Sequence, residues 1–167
     1  MNAFFRQFKT FLDKAILTFC GFAIVTLVIT VTWQVFSRYV LNDPSSFTDE
    51  LARYLMIWFG LAGASYLFGK NGHLAITLFI DAIKAKHRKY VYLLINLVSA
   101  SFISMAMIKG GLLLMSRTMT QFSPALQIPM AYVYCILPLS GILMLIYLAL
   151  NTIEAFSSNH QSISEGE

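Results

Sequence analysis

Charge is scarce in this sequence. No Asp, Glu, Lys or Arg occurs from Ala15 to Ser37, from Tyr54 to Gly69, from Tyr90 to Ile108, or from Tyr132 to Ile153. A water-facing helix needs a polar face, so these stretches exclude an ordinary soluble domain. There are 2 cysteines, Cys20 and Cys135, and both fall inside apolar stretches. That excludes a disulfide framework and leaves two small apolar side chains. The 3 histidines, His73, His87 and His160, lie in connecting or terminal segments, so none can hold a haem at membrane depth. No P-loop, HExxH or GxSxG motif occurs. A proton-coupled exporter needs a mid-membrane carboxylate, and none of the four stretches supplies one. No catalytic, metal-binding or cofactor-binding residue follows, and the chain reads as a non-enzyme. A pore or carrier built from it alone would lack a solute site. That points to a partner-dependent subunit.

What is present is hydrophobic length. The chain has 167 residues, of which 57% are hydrophobic, and its mean hydropathy is +0.68. A helix of about 20 apolar residues crosses a hydrocarbon layer roughly 30 Å thick. The expected fold is an all-α integral membrane protein with four transmembrane helices at about 15–37, 50–68, 90–108 and 130–153. They leave room for a single domain, 1–156, followed by a polar tail, 157–167, expected to be disordered.

The basic residues set the expected orientation. Arg6, Lys9, Lys14, Lys70, Lys84, Lys86, Arg88 and Lys89 flank one side of the spans, and Arg38, Arg53, Lys109 and Arg117 the other. The positive-inside rule then places both termini and the middle connection in the cytoplasm. Anionic headgroups account for the net charge of +4, with no role for nucleic acid. The basic start and apolar run at the N-terminus read as a retained first span, because the run is too long for a signal-peptide core.

Local patterns add candidate faces. Phe4, Phe8, Phe11 and Leu12 alternate with Arg6, Lys9 and Lys14; this fits an interfacial amphipathic helix or a simple extension of span 1. A second amphipathic interfacial helix is expected between spans 2 and 3, within 70–89. In span 1, Thr26, Thr30, Gln34 and Arg38 recur every four residues. Such a polar stripe faces another helix, unless the Thr hydroxyls bond back to their own carbonyls. Trp33 and Trp58 suit an interface belt or a packed partner. The turn Asn42-Asp43-Pro44 leads to Thr48 as a helix cap, and Arg53 lies within reach of both Asp49 and Glu50. Small or polar residues mark further packing faces: Gly60, Gly63 and Ala64 in span 2, and Asn96, Ala100 and Ser104 in span 3. Pro129 is expected in the first turn of span 4, and Pro138 to kink it.

Several of these residues, in order, carry a resemblance. Arg38-Tyr39-Val40-Leu41-Asn42, Phe47-Thr48-Asp49-Glu50-Leu51-Ala52-Arg53, Trp58, Gly60, Gly63, Lys70 and His73 resemble the small membrane (Q) subunit of tripartite ATP-independent periplasmic (TRAP) transporters. Ser123 to Met130, Tyr134 and Pro138 are similar to the same family's outer loop and fourth span. Phe47 departs from the tryptophan frequent there, and the segment after His73 is more apolar than the family version. The resemblance implies a bacterial inner-membrane complex of three parts: a periplasmic substrate-binding protein, a large elevator-type membrane subunit, and this small one. It implies that the substrate and sodium sites lie on the large subunit. The small subunit then braces that carrier and helps dock the binding protein, in a sodium-coupled importer of organic anions such as sialic acid or a C4-dicarboxylate. Arg38, Asn42, Asp49, Glu50, Arg53, Trp58, Gly60, Lys70 and His73 are the candidate interface residues, with membrane lipids as further partners. The alternative is a stand-alone homo-oligomeric tetraspan carrier or channel, its path lined by the Thr26, Thr30, Gln34 stripe.

Overall fold

A computed structural model describes residues 3–70 and 85–164, and its regular structure is helical. α1 spans Ala3–Tyr39, α2 Ser46–Gly69 and α3 Ala85–Phe102. A π-helical segment, Ile103–Lys109, joins α3 to α4, Gly110–Thr118. α5 covers Met130–Tyr134 and α6 Ile136–Ser164. Among the described residues four helices are long and apolar enough to cross a membrane: Phe5–Tyr39, Ser46–Gly69, Leu93–Thr118 and Met130–Ile153. The chain is therefore a multi-pass membrane protein with all-α architecture. Of the stretch 70–89 expected to hold the middle interfacial helix, 71–84, with His73, lies outside the described residues, and 85–89 belongs to the start of α3.

Main-chain hydrogen bonds must be satisfied internally in lipid, so each apolar stretch closes its own ladder as a helix. At about 1.5 Å per residue α1 reaches roughly 55 Å, longer than a bilayer core. Its amphipathic start is continuous with the span, the simple-extension reading. α1 ends where Asn42 takes a left-handed φ of 54° and the Asp43 amide returns to the Ser37 carbonyl. α2 begins at Ser46 with Ser45 as its cap residue, ahead of the expected start. Thr48 is not the cap: its hydroxyl donates to the Ser45 carbonyl at 2.9 Å.

Span 3 runs past its expected end at residue 108, because a lone Lys109 can sit in a helix and extend toward the interface. The π-helical segment also changes its facing. A π turn inserts a residue, so a face drawn at four-residue spacing does not survive it. Asn96 and Ala100 stay on the α6 side, but Ser104 is exposed and Ile103 takes the buried position. In span 4, Pro138 cannot donate to Tyr134, and the helix breaks at Cys135 between α5 and α6, where a kink was expected. Pro129 sits just before α5 as its cap residue.

The principal contacts run from span 1 to span 2, from span 2 to span 4, and from span 4 to span 3. The helices thus form an open row rather than a closed four-helix bundle. Span 4 is the most buried, at 44% of its central window, and span 3 the least, at 11%. The core lies where α1, α2 and α6 meet: Ile16, Cys20, Ala62 and Tyr147, flanked by Leu12, Phe59, Tyr66 and Leu143. Three glycines allow close approach. A Cβ on Gly69 would collide with the Tyr147 ring, one on Gly111 would lie 2.8 Å from Pro138 Cδ, and one on Gly141 would lie 3.0 Å from Met107 Cβ. Gly60 and Gly63 do not serve this purpose within the chain, since nothing lies within 4 Å of either position. They face outward from the row.

Candidate functional site

Polar side chains gather at the two ends of the row. At one end is the loop between α4 and α5, shaped by its own backbone. Met130 donates to the Gln121 carbonyl at 2.8 Å and Ser123 to the Ile128 carbonyl at 2.9 Å. Gln127 takes a left-handed φ of 55°, its amide donates to the Ser123 carbonyl, and its side chain returns to the Pro124 carbonyl at 3.0 Å. This fold points the amides of Ala125 and Leu126 at one carboxylate. Glu50 Oε2, buried in the first turns of α2, accepts from Ala125 N at 2.9 Å and Leu126 N at 2.7 Å. The Tyr54 hydroxyl, one turn along, donates to Glu50 Oε1 at 2.8 Å and lies 3.3 Å from Met130 Sδ. Ser123 is fully buried, with its hydroxyl beside Glu50 and Tyr54 but in no well-directed hydrogen bond. Two backbone donors and a phenol thus hold this carboxylate without a counter-cation, near the positive end of the α2 dipole. Trp58 Nε1 donates to the Val133 carbonyl at 3.1 Å. That bond pins α5 to α2 just before the helix break. A cleft of about 390 Å³ opens beside the clamp, lined by Arg53, Gln121, Pro124 and Tyr134 among others.

Asp49, beside Glu50 in sequence, points elsewhere. It pairs with Arg53 at 3.0 Å and accepts from Gln34 Nε2 at 2.9 Å, joining α1 to α2 at the surface. Of the two pairings open to Arg53, the Asp49 pair forms, and Glu50 takes the loop instead. Arg38 and Asn42 are exposed at this same end.

At the opposite end Asp13 is the hub. Lys70 Nζ meets Asp13 Oδ2 at 2.7 Å, and the buried Tyr147 hydroxyl donates to Asp13 Oδ1 at 2.7 Å. The carboxylate holds the Lys70 ammonium above the ordinary lysine pKa, against the smaller opposing effect of partial burial. Lys70 also lies over the Tyr66 ring, 5.6 Å from its centroid. Asn151 accepts from Lys9 Nζ at 2.7 Å and donates to the Gly69 carbonyl at 3.0 Å, satisfying a helix-end carbonyl of α2. α1, α2 and α6 are tied together here through the side chains of Lys9, Asp13, Lys70, Tyr147 and Asn151.

The remaining candidates take simpler places. The Thr26 and Thr30 hydroxyls donate to the carbonyls of Phe22 and Thr26, so in this stripe Gln34 makes the hydrogen bond to another helix, while Thr30 is buried by packing. Asn96 donates to Thr152 Oγ1 at 3.1 Å, linking α3 to α6. Asp13, Tyr147, Asn151 and the amides of Ala125 and Leu126 escaped the sequence reading. For Asp13 a signal existed: it is the acidic residue among the cations of the amphipathic start. Backbone amides leave no such mark. Among the described residues no three His, Cys, Asp or Glu side chains come together as a metal site.

The family pattern for tripartite ATP-independent periplasmic transporters, DctQ component, matches residues 27–158. A Haemophilus influenzae protein described as a TRAP transporter small permease protein is 26% identical over 142 residues, covering 83% of this chain and 86% of that one. The sialic acid TRAP transporter small permease protein SiaQ of Vibrio cholerae is 39% identical over 62 residues, 37% of this chain and 36% of its own. The isethionate TRAP transporter permease protein DctMQ of Oleidesulfovibrio alaskensis is 22% identical over 131 residues, 74% of this chain but 21% of that longer one.

Proposed function

Since the chain belongs to the DctQ component family of tripartite ATP-independent periplasmic transporters, we propose that it is the non-catalytic bracing subunit of a sodium-coupled organic-anion importer. It acts as a rigid panel fixed beside a large elevator-type membrane subunit, with its termini in the cytoplasm of a bacterial inner membrane. Its loop end then faces the periplasm, where it helps dock the substrate-binding protein. One observation carries this reading: the buried Glu50 and the largely covered Asp13 lock helices or loop to one another. Glu50 holds the α4–α5 loop and Asp13 joins three helices. A subunit that must stay still while another moves needs such ties more than a solute site.

Two further points support it. The DctMQ relative is a single longer chain of which this one matches about a fifth, as expected if a small and a large part work side by side. The names of the relatives specify sialic acid for one and isethionate for another, both organic anions. Sialic acid is the substrate we assign first, because a 62-residue stretch is 39% identical to SiaQ. The outward face of Gly60 and Gly63, the exposed Arg38 and the Arg53 cleft are the surfaces offered to the partners. The stand-alone carrier reading loses its pathway, since the Thr26 and Thr30 hydroxyls bond within α1 and Gln34 binds Asp49.

Reconstitution tests the proposal. Vesicles holding this chain alone should take up no sialic acid. Vesicles that also hold the large subunit, with the binding protein and a sodium gradient, should. Selective uptake by this chain alone would overturn it.

A further inference from the structure

Between α3 and α6 runs a groove of about 470 Å³, lined by Leu93, Leu97, Ala100, Leu145, Leu148 and Ala149 among others. Its two polar side chains, Asn96 and Thr152, bond to each other, and the Thr152 hydroxyl also donates to the Leu148 carbonyl. The groove therefore presents a hydrocarbon surface with no unmet polar demand. It exists because the π-helical segment packs closely on α6 at Gly141, while α3 touches α6 only lightly. The two helices splay toward the end of the row where the termini lie.

Charge marks that end. The sequence puts Lys86, Arg88 and Lys89 in the first two turns of α3, directly before Leu93, and Lys84 just ahead of the helix. In α6 the first charged residue after the groove-lining positions is Glu154, so the sequence at this end of the two helices is net positive. An apolar slot between two membrane helices, opening beside a cation cluster, has the chemistry of an anionic lipid site: acyl chain in the slot, phosphate at the cations. A helix of a partner would match the apolar slot but leave the cations without a role. We propose that this groove holds one acyl chain of an anionic phospholipid whose headgroup rests at the basic start of α3. Such a lipid would fill the splay and fix the angle of the least buried span.

The test uses the full chain in phosphatidylcholine vesicles doped with a phosphatidylglycerol that carries a photoactivatable diazirine on its acyl chain. After illumination the labelled peptides are mapped. Labelling should concentrate on the α3 and α6 groove residues, such as Leu97 and Leu148. Unlabelled phosphatidylglycerol should compete it away, and added phosphatidylcholine should not. Replacing Lys86, Arg88 and Lys89 together with Gln should weaken that competition roughly a hundredfold. Ala100→Phe, which fills the slot, should move the label elsewhere. Labelling spread evenly over exposed positions such as Phe22 and Leu112 would mean ordinary lipid contact and would overturn the proposal. Equal competition by both lipids would do the same. Absence of label from the groove would likewise overturn it.

Discussion

The two ends of the row solve one problem in different ways. Each holds a carboxylate that must keep a distant piece of chain in place. At the loop end Glu50 is compensated by two backbone amides and a phenol, and among the described residues no cation pairs with it. At the other end Asp13 is compensated by an ammonium and a phenol. Backbone donors are directional and cannot change rotamer, so the Glu50 site specifies the conformation of a loop. Lys70 is half exposed and flexible, so the Asp13 site sets the spacing of three helices and tolerates change. Specification resides at the loop end and adjustable tension at the other.

Removing the clamp should show the difference most strongly. Glu50→Ala leaves the amides of Ala125 and Leu126 and the Tyr54 hydroxyl without their acceptor. Each buried donor left unpaired costs about 1–3 kcal/mol, so this variant should have the largest fall in thermal midpoint. Protease cleavage within 119–129 should rise in parallel. Glu50→Lys should keep membrane insertion yet lower uptake by the complete transporter. Unchanged midpoint and unchanged cleavage for Glu50→Ala would show that the loop holds its shape alone.

The Asp13 hub comes next. Asp13→Ala strands the buried Tyr147 hydroxyl at about 1–3 kcal/mol, whereas Asp13→Asn keeps an acceptor and should cost clearly less. Gly69→Ala probes the same place by volume: the added methyl meets the Tyr147 ring, and overpacking of this kind costs about 1–3 kcal/mol. The pH dependence has a definite sign. Because Asp13 raises the Lys70 pKa, its contribution is complete below the unfolded-state value of about 10.4 and is lost as pH climbs through the higher folded value. Half exposure keeps that contribution small. Thermal midpoints measured from pH 8 to about 11 should therefore bend slightly downward for the native chain and stay flatter for Asp13→Asn. A bend of equal size in both would remove Lys70 from the account.

Trp58→Phe should act on a smaller scale. It keeps the ring volume but removes the donor to the Val133 carbonyl, a loss of about 1 kcal/mol. Amide exchange near the Cys135 break should quicken while that around Tyr147 does not. Faster exchange at both ends would mean that Trp58 supports the whole row.

The spans were legible in the sequence because uncharged length is a local property and lipid leaves helices no alternative. The bonds holding them together were not. Glu50 and Leu126 are 76 positions apart and Tyr147 and Asp13 are 134 apart, separations that no periodicity reports. Glycines misled for a related reason. Gly60 and Ala64 have the spacing of a packing pair, but the glycines that meet another helix are Gly69, Gly111 and Gly141. Small spacing states that close approach is permitted, and the other helix decides whether it happens. The stripe Asn96, Ala100, Ser104 held only as far as regular helix held, since the π-helical turn at Ile103 rotated everything after it.

The smallest effect belongs to the most conspicuous charges. Arg53 and Asp49 form a pair at 3.0 Å, with side chains 66% and 54% exposed. Exposed helix pairs gain little, because water screens them and both side chains lose freedom. Arg53→Ala should leave the thermal midpoint within error of the native chain, because Asp49 keeps its bond from Gln34. If Arg53 also meets the binding protein or the large subunit, uptake by the assembled transporter should fall while stability does not. The steepest loss should come at low salt, where a charge contact between subunits is strongest. Arg53→Lys separates the options further: it keeps the charge but not the planar fork, so partial rescue identifies a simple electrostatic contact and no rescue a bidentate one. A fall in midpoint with intact uptake would reverse the assignment, making this pair a structural tie like Glu50 and leaving the adjoining cleft without a partner.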